Sequence, residues 1–113
     1  MAQFRGICKD YGTSSAVMYR NKKLLELARQ LPCQHCGIED GTVVAAHSNQ
    51  LRDGKGKGIK AHDYRIASLC FKCHYEIDQG SNLSKTERLD LWEEAHRKTI
   101  ASLFEQGYLH TKV

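Results

Sequence analysis

Two spaced cysteine doublets constrain this chain more than anything else in it: Cys33-Gln34-His35-Cys36 and Cys70-Phe71-Lys72-Cys73, separated by 33 residues. A pair of C-x2-C motifs is the usual ligand set of a tetrahedral structural zinc site, so the two doublets are expected to meet in space. The gap between them is longer than in a short finger, and the bound segment is therefore a substantial piece of fold. The chain has 113 residues, 41% of them hydrophobic and 27% charged, which suits one domain with a compact core rather than a disordered chain. Aromatic residues are only 8%, and a chain of this size gains from a metal staple. No apolar run exceeds four residues, as at Val43 to Ala46, so no membrane-spanning helix is expected. The N-terminal stretch carries Arg5, Lys9 and Asp10 and lacks the apolar region of a signal peptide. The expected location is the cytoplasm, where thiols stay reduced and the cysteines serve a purpose other than disulfides. Cys8 stands outside the doublets and reads as a small buried or otherwise unremarkable residue.

The periodicity predicts an α+β domain spanning residues 1–113. A helix is expected from Ser14 or Ser15 to about Leu31, with the apolar stripe Leu24, Leu27, Ala28, Leu31. Pro32 stops it, and Gly37 suits the tight turn around the first doublet. A strand follows over Thr42 to Ala46, ending at or near His47, and a second over Arg65 to Leu69. Cys70 opens a short helix to about Gln79, closed by Gly80. Ser84 and Glu87 have capping-box spacing and start a last helix, over about 84–107, with Gly107 as its stop. Its stripe is Leu89, Trp92, His96, Ile100, Leu103 and Phe104, which predicts core positions for Trp92 and Phe104 and a satisfied core histidine at 96. His35, His62 and His110 fall in turns, loop or tail.

Between the strands, residues 52–60 are too rich in glycine for helix or strand. Residues 51 to 65 carry Arg52, Lys55, Lys57, Lys60 and Arg65 against Asp53 and Asp63, a surplus of three in a chain whose net charge is +4. Alternating glycine and lysine lets a backbone approach phosphates while ammonium groups neutralise them, so these five residues are candidate contacts to a DNA backbone, without base readout. No Walker phosphate loop is present.

His47, His74 and Asp78 form the chemically informative set. His74 is turned roughly 100° from Cys73 on its helix, away from the cysteine site, and Asp78 follows four residues later on the same face. An imidazole beside a carboxylate can hold a hard divalent cation; a surface His–Asp pair without metal is the alternative.

Strand, glycine-rich loop, strand and a helix opening with C-x2-C-H is the outline of a ββα-metal nuclease. Cys33-Gln34-His35-Cys36-Gly37, Ala46-His47-Ser48-Asn49 and Leu69-Cys70-Phe71-Lys72-Cys73-His74-Tyr75-Glu76-Ile77-Asp78 together resemble the HNH endonucleases. They are most similar to the phage and prophage nucleases of the YbcO type and to the Ref-type, RecA-dependent nuclease domain. The resemblance covers residues 24–80 and implies there a small zinc-stapled ββα-metal core, flanked by an N-terminal and a C-terminal helix. It implies a metal-dependent DNA endonuclease, acting in phage recombination or DNA processing, with a recombinase filament as a family-level partner. It assigns His47 as general base and His74 as ligand of a catalytic Mg²⁺ or other divalent cation. Zn²⁺ at Cys33, Cys36, Cys70 and Cys73 is structural. Ala46 stands where many members carry another metal-binding Asp or His, and the motif's middle Asn has no counterpart; Asp63 lies nearest. Asp63 or Asp78 then completes the metal site, with motif position favouring Asp63, while Asn49 orients His47 or contacts the phosphate. A zinc-stabilised DNA-binding module without catalysis is the rival reading. Thioredoxin-like chemistry lacks the surrounding βαβ pattern, and c-type haem attachment at Cys70 to His74 is opposed by the second doublet.

Overall fold

The computed structural model describes residues 18–112; Cys8 and the serines at 14 and 15 lie outside them. The first helix, α1, is Lys22–Arg29, and Asn21 caps it by accepting from the Leu24 amide at 3.1 Å. The expected earlier start does not hold for residues 18–21, because their backbone is committed elsewhere. The Tyr19 amide donates to His62 Nδ1, the Asp63 amide to the Tyr19 carbonyl, and the Asn21 amide to Asp63 Oδ2. A segment tied to a distant loop in this way cannot also supply helical hydrogen bonds.

Strand β1, Val44–His47, pairs antiparallel with β2, Ile66–Leu69, in the register Val44 with Leu69 and His47 with Ile66. Every residue of β2 is buried, as a strand covered on both faces must be. Helix α1 lies on one side, where Leu24, Ala28 and Leu31 pack with Ile66 and Leu103. On the other, Ala46, Ala67 and Leu69 pack with Trp92, Ala95 and the cysteines. Ser68, fully buried, is satisfied from both sides: its hydroxyl donates to the Ala28 carbonyl and its amide to Thr99 Oγ1.

Helix α2, Phe71–Asp78, follows Cys70 directly, and α3, Lys85–Glu105, begins at the complete Ser84/Glu87 capping box. Gly107 ends α3 at φ 78°, a left-handed conformation natural to glycine. Gly80 acts differently: a Cβ there would stand 2.8 Å from the Glu76 backbone, so close approach rather than a left-handed turn requires glycine. The glycine-rich loop is more ordered than expected, with a 3₁₀ turn at Leu51–Asp53 and a bridge between Gly56 and Ile59.

One expected core position is corrected. The buried line of α3 is Trp92, Ala95, Thr99 and Leu103, whereas Phe104 is 52% exposed and Leu89 40% exposed. Phe104 sits about 100° around the helix from Leu103, and Leu89 lies one turn before the part of α3 that crosses the sheet. Leu103→Ala should therefore cost about 2–5 kcal/mol and Phe104→Ala less than about 1 kcal/mol, read from urea denaturation midpoints of the two variants.

Candidate functional site

The turn after α1 and the entrance to α2 bring the four doublet cysteines together. One ligand atom from each of Cys33, Cys36, Cys70 and Cys73 lies within 4.8 Å of all the others. Cys36 Sγ and Cys70 Sγ are 3.7 Å apart, which matches the edge of about 3.8 Å in a sulfur tetrahedron around zinc at about 2.3 Å. The first doublet is shaped by its backbone: the Cys33 amide donates to the Ile38 carbonyl, and the Gly37 amide to that of Cys33, with Gly37 at φ 80°. Burial opposes ionisation of Cys33, but amides of Cys36, Cys70 and His35 outweigh it and hold its pKa near 6. Burial, with its neighbouring thiols, drives Cys73 strongly upward. Clustered thiols cannot all ionise in a partly apolar setting unless a cation compensates them, so the donor set fits a zinc ion.

At the far end of β1, His47 Nε2 faces Asp63 Oδ1 at 2.8 Å. Asp63 is 2% exposed and also accepts from the Asn21 amide at 2.7 Å and from Arg20 Nη1 at 3.4 Å. Burial alone would raise its pKa; the His47 and Asn21 hydrogen bonds, with the neighbouring His47 ring and Arg20 guanidinium, reverse this and lower it. Asp63 is thus an ionised acceptor, so the His47 nitrogen facing it carries the proton and Nδ1 keeps the free lone pair.

On α2, His74 Nε2 and Asp78 Oδ2 are 3.0 Å apart across one helical turn. Their hydrogen bond raises the His74 pKa against the opposing effect of burial, and lowers that of Asp78. Asn49, two residues after His47, donates to Asp78 Oδ1 at 3.1 Å. The carboxylate beside His74 is therefore Asp78; Asp63, favoured by motif position, lies beside His47 instead. Asn49 is likewise placed against Asp78.

The five candidate DNA contacts divide. Arg65 is turned inward, its Nε 2.8 Å from Asp53 Oδ1 and its Nη1 donating to His96 Nε2. His96 donates through Nδ1 to the Ile66 carbonyl and stacks on Trp92, as a satisfied core histidine. Its burial lowers its pKa, which keeps it neutral. Arg52 pairs with Glu93 at 2.7 Å while remaining mostly exposed. Lys55, Lys57 and Lys60 enter no ion pair among the described residues, and Arg65 is the one candidate withdrawn from the surface. Sequence reasoning missed Arg20 and Asn21, which hold Asp63. Asn21 stands three residues before Leu24 and carried a capping signal; Arg20 carried none.

Comparison with protein-family profiles, curated proteins and solved structures finds no match to this chain. Among the described residues no helix is long and apolar enough to cross a membrane.

Two outcomes test this geometry. Zinc analysis should give one equivalent per chain; strong chelators should unfold the domain, and Cys70→Ser should lose both the metal and the cooperative transition seen by circular dichroism. Asp63 has a depressed folded-state pKa, so its stabilisation is present above the unfolded value of about 3.9 and is lost as pH falls through the folded value. Asp63→Asn should be about 1–3 kcal/mol less stable than wild type at pH 7, and that gap should begin to narrow below about pH 4 in denaturation curves taken across pH.

Proposed function

We propose that this chain is a metal-dependent DNA endonuclease of the HNH, ββα-metal type, hydrolysing phosphodiester bonds in phage or prophage recombination or DNA processing. The observation that carries the reading is the Asn49–Asp78 hydrogen bond. It ties the end of β1, where a histidine is held by a buried carboxylate, to the helix face that carries a second histidine and a second carboxylate. A purely structural zinc module or a DNA-binding module has no use for two such pairs side by side.

The division of labour follows from the partners. His47 is the general base: Asp63 fixes the ring and its tautomer, leaving Nδ1 to take the proton of an attacking water. Asp63 is a positioning residue, since its oxygens are engaged by His47, Asn21 and Arg20. His74 and Asp78 would hold Mg²⁺ or another divalent cation through one nitrogen and one oxygen once the proton of their mutual hydrogen bond is displaced, with Asn49 keeping Asp78 in place. Such an ion, when bound, supplies Lewis-acid stabilisation of charge on the phosphoryl oxygens. Lys55, Lys57 and Lys60, with Arg52 at the loop's base, neutralise backbone phosphates and hold the strand. Zinc at the four cysteines is structural.

The test is cleavage of supercoiled and single-stranded DNA in Mg²⁺ or Mn²⁺, with and without a recombinase filament. His47→Ala should keep its fold and zinc while losing about 10²- to 10⁴-fold in rate, and His74→Ala should lose activation by added metal. A wild-type protein that binds DNA but cleaves none of these substrates would overturn the nuclease reading in favour of a zinc-stabilised binding module.

A further inference from the structure

A cavity of about 440 Å³ opens between the end of α2, the start of α3 and the segment after β1. Its floor is apolar, made by Ile77, Leu89 and Trp92, and one wall is cationic, made by Lys85 and Arg88. Asn49 and Asp78 line it too, so it is continuous with the His74–Asp78 pair. The four α3 residues fall at i, i+3, i+4 and i+7 and form one face of the helix. Two features leave that face open to a ligand. Leu89 continues the apolar stripe yet is 40% exposed. Among the described residues the guanidinium of Arg88 makes a single long hydrogen bond, 3.5 Å to the Ile77 carbonyl. An arginine and a lysine lining an open cavity, with only that one long hydrogen bond between their side chains and the other described residues, keep most of their donors free for an anionic acceptor that arrives from outside.

We infer that this cavity is a nucleotide pocket, taking one unpaired nucleotide of the DNA strand next to the phosphate at the His74–Asp78 pair. The base lies on the apolar floor and the flanking phosphate meets Arg88 and Lys85. The inference rests on the nuclease reading for that neighbouring phosphate. The size falls within the range of small-molecule pockets, and an apolar floor with few polar groups at its rim is the usual build of such a site. Arg and Lys beside an apolar surface complement a base joined to a phosphate, the pairing by which single strands are held. The one carboxylate in the lining, Asp78, is already engaged by His74 and Asn49. A base within a continuous duplex cannot enter a concave pocket without leaving its stack, so the pocket selects single-stranded, gapped or extrahelical DNA over intact duplex.

The experiment uses the zinc-replete full chain and compares initial cleavage rates on a single strand and on the continuous duplex of the same sequence. Leu89→Trp fills the pocket from a half-exposed position, and Arg88→Gln removes the charge. Wild type should favour the single strand, and each variant should lower the ratio of single-strand to duplex rates by about tenfold, within the range of a base-stacking contact. A ratio unchanged in both folded variants overturns the pocket while leaving the nuclease reading intact. If wild type cleaves neither substrate, titration of a thymidine hexamer into ¹⁵N-labelled protein decides. Amide shifts at Ile77, Lys85 and Leu89, lost in Leu89→Trp, sustain the pocket although the nuclease reading has fallen; shifts confined to residues 52–60 overturn it.

Discussion

The meeting of four sulfurs sets the rest of this structure. Cys36 and Cys70 lie 3.7 Å apart although 33 residues separate them, and that closure fixes the turn after α1 against the entrance to α2. Two hydrogen bonds reinforce it: the Gln34 amide donates to the Ser68 carbonyl, and the Phe71 amide to Thr42 Oγ1. Because Cys70 is the N-cap of α2 and Cys73 its first buried residue, the cluster also fixes the rotation of that helix. His74 must then leave the helix about 100° from Cys73, and Asp78 follows it one turn later. The direction in which the His–Asp pair faces is thus a consequence of where the cysteines are anchored.

Around this centre the protein buries charge in two places. Asp63 is enclosed by His47, Arg20 and the Asn21 amide. Asp53 sits with Ser48 and Arg65, and Arg65 leads on to Glu93 and His96. Buried ion pairs are weak sources of net stability, since desolvation offsets most of the attraction, but removing one partner is strongly unfavourable. Such networks tolerate few alternative arrangements. Here they pin the long β1–β2 connection at two points, which a connection built from glycine and lysine would not achieve through packing.

Much of the architecture was legible because its signals are local. The cysteine spacing, the Ser84/Glu87 box, Pro32 and Gly107 each act within a few residues, and the α2 face with His74 and Asp78 follows from helical geometry alone. What was misread depends on partners distant in sequence. The start of α1 moved because Tyr19 and Asn21 are bonded to His62 and Asp63, some forty residues away. Phe104 has the right period but lies to the side of the line that crosses the sheet. Arg65 has the composition of a phosphate contact, yet a buried Asp53 and a neutral His96 draw it inward.

Asp63 shows most clearly why order along the chain underdetermines chemistry. Its place before the second doublet suggests a metal ligand, and its carboxylate would serve as one. Three donors already converge on its two oxygens, and it is almost without solvent contact. Binding a cation would mean surrendering hydrogen bonds from a histidine and a backbone amide, both partly buried, and the long one from Arg20, whose guanidinium also donates to the Ala61 and Lys60 carbonyls. Asp78 is less enclosed: it is about a third exposed and, among the described residues, accepts from His74 and Asn49 alone. In the proposed reaction one carboxylate therefore orients a base and the other meets a cation, and what separates their roles is the number of donors each already satisfies.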